Sequence, residues 1–316
     1  MIMRTSDFLF VDKYAPQTVE DCILPEEIKQ TFTNYRDTNK IPNLILYGAS
    51  GIGKTSVVLA LAKELGMDFM KINGSNEGRS IDTVRNKISA YASTISLSNS
   101  GKKILLLDEA DNLTFDAQKA LLGIIEETQR NCVYVFTCNY VNKLLPAIHS
   151  RASSIQFKIP VKEKPKLAAE FFQRLMYILE TEEIEYDKAI LVELIKKYFP
   201  DFRRTLHELQ RYTSSGKLEL NVLAAASNSN IEQLLTYMKE CNFTEVRKWC
   251  ALNSNDDMGM IFRQLYDELP KVLVSNTLPS AIILLADYQF KSNFVVDQEI
   301  NLVACLTEIM GEVKFL

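Results

Sequence analysis

The chain has 316 residues with 36 Lys+Arg against 40 Asp+Glu, a formal charge of −4 at pH 7. That balance excludes a histone-like binder that holds nucleic acid by bulk positive charge. A composition 47% hydrophobic and 24% charged is ordinary for globular proteins, and the length suits about two domains. No apolar run approaches the roughly 18 residues of a membrane span, and Phe8 to Val11, between charged residues, is too short for a signal-peptide core. The six cysteines at 22, 132, 138, 241, 250 and 305 form no Cys-x-x-Cys pair, and with two histidines there is no zinc-ligand spacing. They read as reduced thiols of an intracellular protein, several of them buried.

Along the first half, short apolar runs alternate with helical patterns, as expected of an α/β fold whose parallel sheet is covered by helices. Strands are expected at Asn43 to Tyr47, Asp68 to Asn73, Lys103 to Asp108, Cys132 to Cys138 and Ser154 to Ile159. An amphipathic helix is expected from Thr55 to Leu65, ending at Gly66, a residue suited to a left-handed cap. This α/β domain occupies residues 1–160. Past Pro160 and the charged segment Val161 to Pro165, β-like runs cease and the remainder reads as helices. A weaker boundary in the polar stretch Ala226 to Asn230 divides it into a helical domain 161–226 and a second all-α domain 227–316. From Ile231 onward the helices carry no chemical motif. Their apolar residues, including Ile282 to Ala286 and Leu302 to Met310, serve either an internal core or a subunit interface.

Gly48-Ala49-Ser50-Gly51-Ile52-Gly53-Lys54-Thr55 fits Gly-x4-Gly-Lys-Ser/Thr between an apolar strand and an amphipathic helix. Glycines let backbone N–H groups curl around a phosphate, and the helix N-terminus adds a favourable dipole. Lys54 then reaches the β/γ-phosphates, and the Thr55 hydroxyl ligates magnesium. Ile104 to Leu107 followed by Asp108-Glu109 reads as a buried strand that delivers two carboxylates to the C-terminal sheet edge, where ligands of open α/β sheets bind. There Asp108 would hold Mg2+ through water and Glu109 would act as general base on the attacking water; alone, the pair could equally be a strand terminus. The interval between Lys54 and Asp108 holds a helix, a strand and a helix, which favours ATPases with a catalytic Glu after the Asp over small nucleotide kinases. Asn139 ends the next strand, either as a partner of the γ-phosphate or attacking water or as a simple turn residue. Arg151 is either an arginine finger acting on a neighbour's nucleotide or a surface arginine.

In order and together these motifs resemble the AAA+ clamp-loader ATPase subunits: replication factor C small subunits and, more closely, the large subunit of T4-type phage clamp loaders. Val11-Asp12-Lys13-Tyr14-Ala15-Pro16 resembles the family segment beside the adenine, and Asp21-Cys22-Ile23-Leu24-Pro25 its phage version. The resemblance implies nucleotide contacts from Val11, Asp12, Lys13, Tyr14, Ile23, Gly51, Ile52, Gly53, Lys54, Thr55 and Ser56. It makes Asn139 a sensor and Arg151, within Ser150-Arg151, the inter-subunit trigger. Pro200 to Leu206 resembles the lid-domain sensor, which implies that Arg203 touches the γ-phosphate of the chain's own ATP. Residues 161–226 are then a helical lid and 227–316, by position only, the helical collar. Departures from the family pattern are Ala15 for Arg, Ala152 for Cys, and Leu122-Gly123 where cellular members often carry two arginines; Gln118 could still couple a DNA-facing helix to the ATP site.

Arg79, Ser80, Thr83 and Arg85 resemble the family segment that faces the DNA backbone; a solvated helix face is the alternative for each. What the family implies is a pentamer of copies of this chain and a distinct clamp-loader subunit, using ATP and Mg2+. Such an assembly opens a sliding clamp and, on DNA-triggered hydrolysis, releases it closed on primer-template DNA. The phage-like segments imply a viral replisome in a host cytoplasm. The alternatives are another AAA+ machine, such as a helicase loader, and a non-hydrolysing scaffold subunit.

Overall fold

Strands whose side chains alternate between two apolar faces must be covered on both sides, and this chain covers them with helices. The computed structural model describes residues 8–75, 84–96, 101–213, 217–218, 231–254 and 258–316. The chain divides into two compact units, Met1–Leu220 and Asn221–Leu316.

In the first unit, β1 (Leu44–Gly48), β2 (Asp68–Asn73), β3 (Lys103–Asp108), β4 (Cys132–Cys138) and β5 (Ser153–Phe157) form one parallel sheet in the order β2-β3-β4-β1-β5. Its principal covering helices are α1 (Glu26–Thr38), α2 (Lys54–Glu64) and α3 (Phe115–Thr128). Leu44, Leu46, Ile104, Leu106, Val133 and Val135 point to one face, against Phe32 of α1 and Val57 and Leu61 of α2. Ile45, Leu105, Leu107, Tyr134 and Phe136 point to the other, against Leu121 and Ile125 of α3. Gly66, at φ 58°, closes α2: its N–H donates to Lys63 O at 3.1 Å, and the Met67 N–H donates to Ala62 O at 2.9 Å. Those are the two bonds of a Schellman cap. Register places Asn73 opposite Asp108 and Tyr47 opposite Cys138, so the C-terminal ends of β1 to β4 meet at one edge. There, beside β1, the order of connections reverses.

Three longer helices follow the sheet in the first unit: α4 (Lys164–Thr181), α5 (Lys188–Tyr198) and α6 (Phe202–Tyr212). Leu167, Phe171, Leu175 and Ile178 make the buried stripe of α4. Two expectations need correcting. β5 ends at Phe157 rather than Ile159, because Phe157 already pairs with Gly48, the last residue of β1, and nothing continues the ladder. The region after Pro160 is not purely helical: Glu185–Tyr186 and Lys217–Leu218 form a parallel pair of two-residue strands, too short for an alternating pattern to register.

The second unit holds α7 (Ile231–Lys239), α8 (Phe243–Asn253), α9 (Met258–Val272), α10 (Leu278–Lys291) and α11 (Gln298–Glu312). Trp249, Phe262, Leu265, Leu285, Leu302, Leu306 and Ile309 share its core, whereas Ile283 is 69% exposed. Cys241 is exposed, the other five cysteines are buried, and all six are free thiols. No helix among the described residues is long and apolar enough to cross a membrane.

Leu106 is fully buried in the central sheet and Leu252 is 83% exposed. Leu106→Ala is expected to destabilise the sheet unit by about 2–5 kcal/mol and Leu252→Ala to change stability by less than about 0.5 kcal/mol, read from urea-denaturation midpoints.

Candidate active site

β1 delivers the chain to the sheet edge at Gly48, and residues 48–54 turn back into α2. Gly51 sits at φ 73°, where a Cβ would stand 1.8 Å from Asp201 Oδ1, so only glycine fits between loop and α6. Gly53 is the N-cap of α2 and offers no side chain, which leaves the first-turn N–H groups of the helix to an anion. Lys54 folds back over the loop. Its Nζ donates to Gly48 O at 2.8 Å, Ala49 O at 2.6 Å and Asn139 Oδ1 at 3.2 Å. Burial lowers the Lys54 pKa and Arg203 adds to that, against the opposing pull of Asp108 and Asp111. A polyphosphate in the loop would offset that cost.

Asp108 is the hub of the edge. It is 8% exposed. Its Oδ1 accepts from Thr55 Oγ1 at 2.8 Å and from Thr137 Oγ1, while Oδ2 pairs with Lys71 Nζ at 2.7 Å. Burial by itself would raise the Asp108 pKa, but the bonds from Lys71, Thr137 and Thr55 outweigh it and hold the carboxyl below its ordinary value. Thr137 Oγ1 also accepts from the Glu109 N–H at 3.2 Å. Glu109 has φ 54°, which swings its side chain out of the strand line, and Ser75 Oγ donates to its Oε2. Ser75 is placed in turn by Gly74, whose N–H donates to Asp108 O at 2.7 Å; a Cβ there would lie 2.4 Å from Glu109 O.

These groups open onto a cleft of about 1120 Å3, part of it open to solvent. Of the residues expected at a nucleotide, Val11, Tyr14, Ile23, Gly51, Gly53, Lys54, Thr55, Ser56, Asp108, Glu109, Asn139 and Arg203 line it. The far wall is the lid: Phe202 N–H donates to Gly51 O at 3.0 Å, and Asp201 caps α6 by accepting from the Arg204 N–H at 2.9 Å. Arg203 therefore stands in the first turn of a helix, where a cation is unfavourable unless an anion joins it. Arg174 Nη2 donates to Tyr14 O at 3.2 Å and joins the N-terminal segment to α4.

Four of the expected site residues do not line the cleft. Asp12 and Lys13 do not line the cleft, and Lys13 Nζ instead pairs with Glu182 Oε1 at 2.6 Å. The Ile52 side chain, 6% exposed, packs into the core beneath the loop, so a phosphate contact from Ile52 is through its backbone N–H. Arg151 is also outside the cleft: its Nε donates to Glu126 Oε1 at 3.0 Å and Nη1 to Ala147 O at 2.9 Å. Arg79, Ser80 and Thr83 lie outside the described residues. So does the Arg85 side chain, whose backbone belongs to a π-helical turn, Val84–Ile88. Gln118 is 3% exposed and spends its amide on backbone, donating to Leu113 O and Lys143 O and accepting from the Leu145 N–H at 2.8 Å.

Motif reading missed Lys71, Thr137 and Asp201. Thr137 left a signal, since a hydroxyl inside an otherwise apolar buried strand must find partners. Lys71 is a charge inside a strand pattern. Asp201 left only its position before a helix. The donor set fits a polyphosphate with its divalent cation: a glycine cradle, a buried ammonium, and a threonine hydroxyl against an ionised carboxylate. Thr137→Val keeps the shape and removes both bonds. It is expected to cost about 1–3 kcal/mol of stability and to weaken Mg2+-dependent nucleotide binding, measured by thermal unfolding and equilibrium titration.

A family model described as the ATPase family associated with various cellular activities matches residues 44–161, and one described as the sliding-clamp-loader large subunit AAA+ ATPase lid domain matches residues 163–224. The chain is 30% identical to the replication factor C small subunit of Saccharolobus solfataricus, over 98% of this chain and 96% of that protein. It is 28% identical to the sliding-clamp-loader large subunit of Enterobacteria phage T4, over 99% of both. Among solved structures, a RuvB chain of Thermotoga maritima superposes with a TM-score of 0.54 at 16% identity, covering 66% of this chain and 70% of that one, a likeness of fold alone. By that similarity along nearly its whole length, together with its lid domain, the chain belongs to the clamp-loader family of AAA+ ATPases, with the replication factor C small subunits and phage sliding-clamp-loader large subunits.

Proposed function

We propose that this chain is the ATP-hydrolysing subunit of a sliding-clamp loader, acting during DNA replication. One observation carries the reading: in a member of this family, Lys54, the Thr55–Asp108 pair, Glu109, Asn139 and Arg203 converge on a single cleft. A degraded site would have lost one of these groups, which disfavours a scaffold role.

The residues divide the work of phosphoryl transfer to water. Backbone N–H groups of the loop and Lys54 hold the β- and γ-phosphates of ATP. Thr55 and Asp108 would hold Mg2+, which when bound neutralises charge on the phosphate oxygens. Glu109 takes the proton of the attacking water, and Asn139, already bonded to Lys54, positions that water or the γ-phosphate. Arg203 reads the γ-phosphate from the lid. Val11, Tyr14 and Ile23 shape the adenine end. Arg151 lies outside its own cleft and is the group for a neighbour's nucleotide, supplied in trans after leaving Glu126. Copies of the chain, with a partner subunit, would grip a ring-shaped clamp and admit primer-template DNA along the segment that carries Arg79, Ser80, Thr83 and Arg85. We also propose the division 1–160, 161–226 and 227–316 as ATPase, lid and collar.

The test is the ATPase rate of the chain reconstituted with the partner subunit that its source encodes, with and without clamp and primer-template DNA. The expected result is strong stimulation when both are present; no increase contradicts the reading, and stimulation by a helicase instead assigns a helicase loader. Lys54→Ala is expected to abolish ATP binding. Arg151→Ala is expected to leave affinity within about threefold while lowering stimulated hydrolysis about 1000-fold, a split read by titration beside steady-state kinetics.

A further inference from the structure

Lys71 is a charge that its strand does not need. It lies on β2, and its Nζ stands 2.7 Å from Asp108 Oδ2, the oxygen that Thr55 and Thr137 leave to it. The pair is asymmetric: the Asp108 side chain is 12% exposed and that of Lys71 42%. The carboxylate is fixed by two hydroxyls, whereas the ammonium, on its long stem, has a path to water. A divalent cation seated at Thr55 and Asp108 competes with the ammonium for the same negative charge. Two cations a few ångströms apart repel, and more strongly in a partly desolvated cleft than in water. The half-exposed one yields, because its rehydration recovers most of what the pair loses.

We propose that Lys71 is an exchangeable counter-ion of the metal-site carboxylate. Its ammonium neutralises and aims Asp108 while the site lacks metal, and gives way to Mg2+ when the metal arrives with the nucleotide. The inference rests on the phosphate-site reading above and makes Lys71 a positioning residue, since it acts through Asp108. Metal binding then carries the cost of breaking the Lys71–Asp108 pair, so the affinity for Mg2+ is lower than the carboxylate alone would give. Nucleotide without metal, by contrast, meets an Asp108 already neutralised by Lys71, which lessens the repulsion between that carboxylate and the phosphates.

The experiment measures, on the intact chain, the dissociation constant of fluorescent ADP in excess Mg2+ and in EDTA; the ratio of the two is the coupling between metal and nucleotide. Lys71→Met is expected to enlarge that ratio about three- to tenfold over the unmutated chain, and Lys71→Arg to leave it within about twofold. A ratio unchanged or reduced in Lys71→Met overturns the proposal, as does an equal loss of affinity in both conditions, which a merely structural role would give. Lys71→Gln, checked by its thermal unfolding, serves the same comparison should Lys71→Met not fold. If the phosphate-site reading itself fails, the unmutated chain shows no Mg2+-dependent ADP binding at all, an outcome separate from a normal parent with an unaltered variant.

Discussion

A carboxylate at the end of a fully buried strand is costly unless its oxygens are matched, and the site depends on how Asp108 meets that demand. Thr55 comes from α2, Thr137 from β4 and Lys71 from β2. No two of these partners are neighbours in sequence; only the order β2-β3-β4-β1 brings them to one edge. Satisfying the buried charge and assembling the phosphate site are therefore the same event. Lys54 has the complementary problem, a buried ammonium met by two loop carbonyls and Asn139. Each half of the site holds back a charge that a polyphosphate with its cation would use.

The cleft is closed by parts that belong to other elements. The backbone bond from Phe202 to Gly51 ties α6 to the loop, and Arg174 ties α4 to the N-terminal segment at Tyr14. A ligand that bridges the loop and Arg203 would thus bear on sheet and lid together. The chain's net charge of −4 is compatible with this, because the cations that face the cleft are few and placed by the fold.

Much of this was legible in the sequence, for identifiable reasons. Continuous apolar runs set the bounds of β3 and β4, since burial on both faces leaves few polar residues between their ends, Thr137 being the exception. Gly66 foretold a left-handed cap, and the glycine-rich loop its cradle, because backbone conformations of that kind narrow the choice of residue. The two-residue strands were not legible, as a pattern needs more than one repeat to register. A motif assigns a stretch of chain to a ligand, but it does not say which side chains of the stretch face it. Ile52 turns to the core, and Lys13 finds Glu182 far along the chain. Lys71 was invisible because it pairs in register with Leu106 and meets Asp108, two residues further along β3, only through its long side chain.

On the proposed function, one chain builds the nucleotide cleft and a neighbour completes it through Arg151. Mixing Lys54→Ala chains with Arg151→Ala chains tests this most directly, in assemblies that contain the partner subunit, clamp and primer-template DNA. Each variant alone should be inactive. The mixture should regain a clear fraction of the stimulated ATPase rate, since an intact cleft can then sit beside an intact arginine. A mixture no more active than either variant alone would contradict the account.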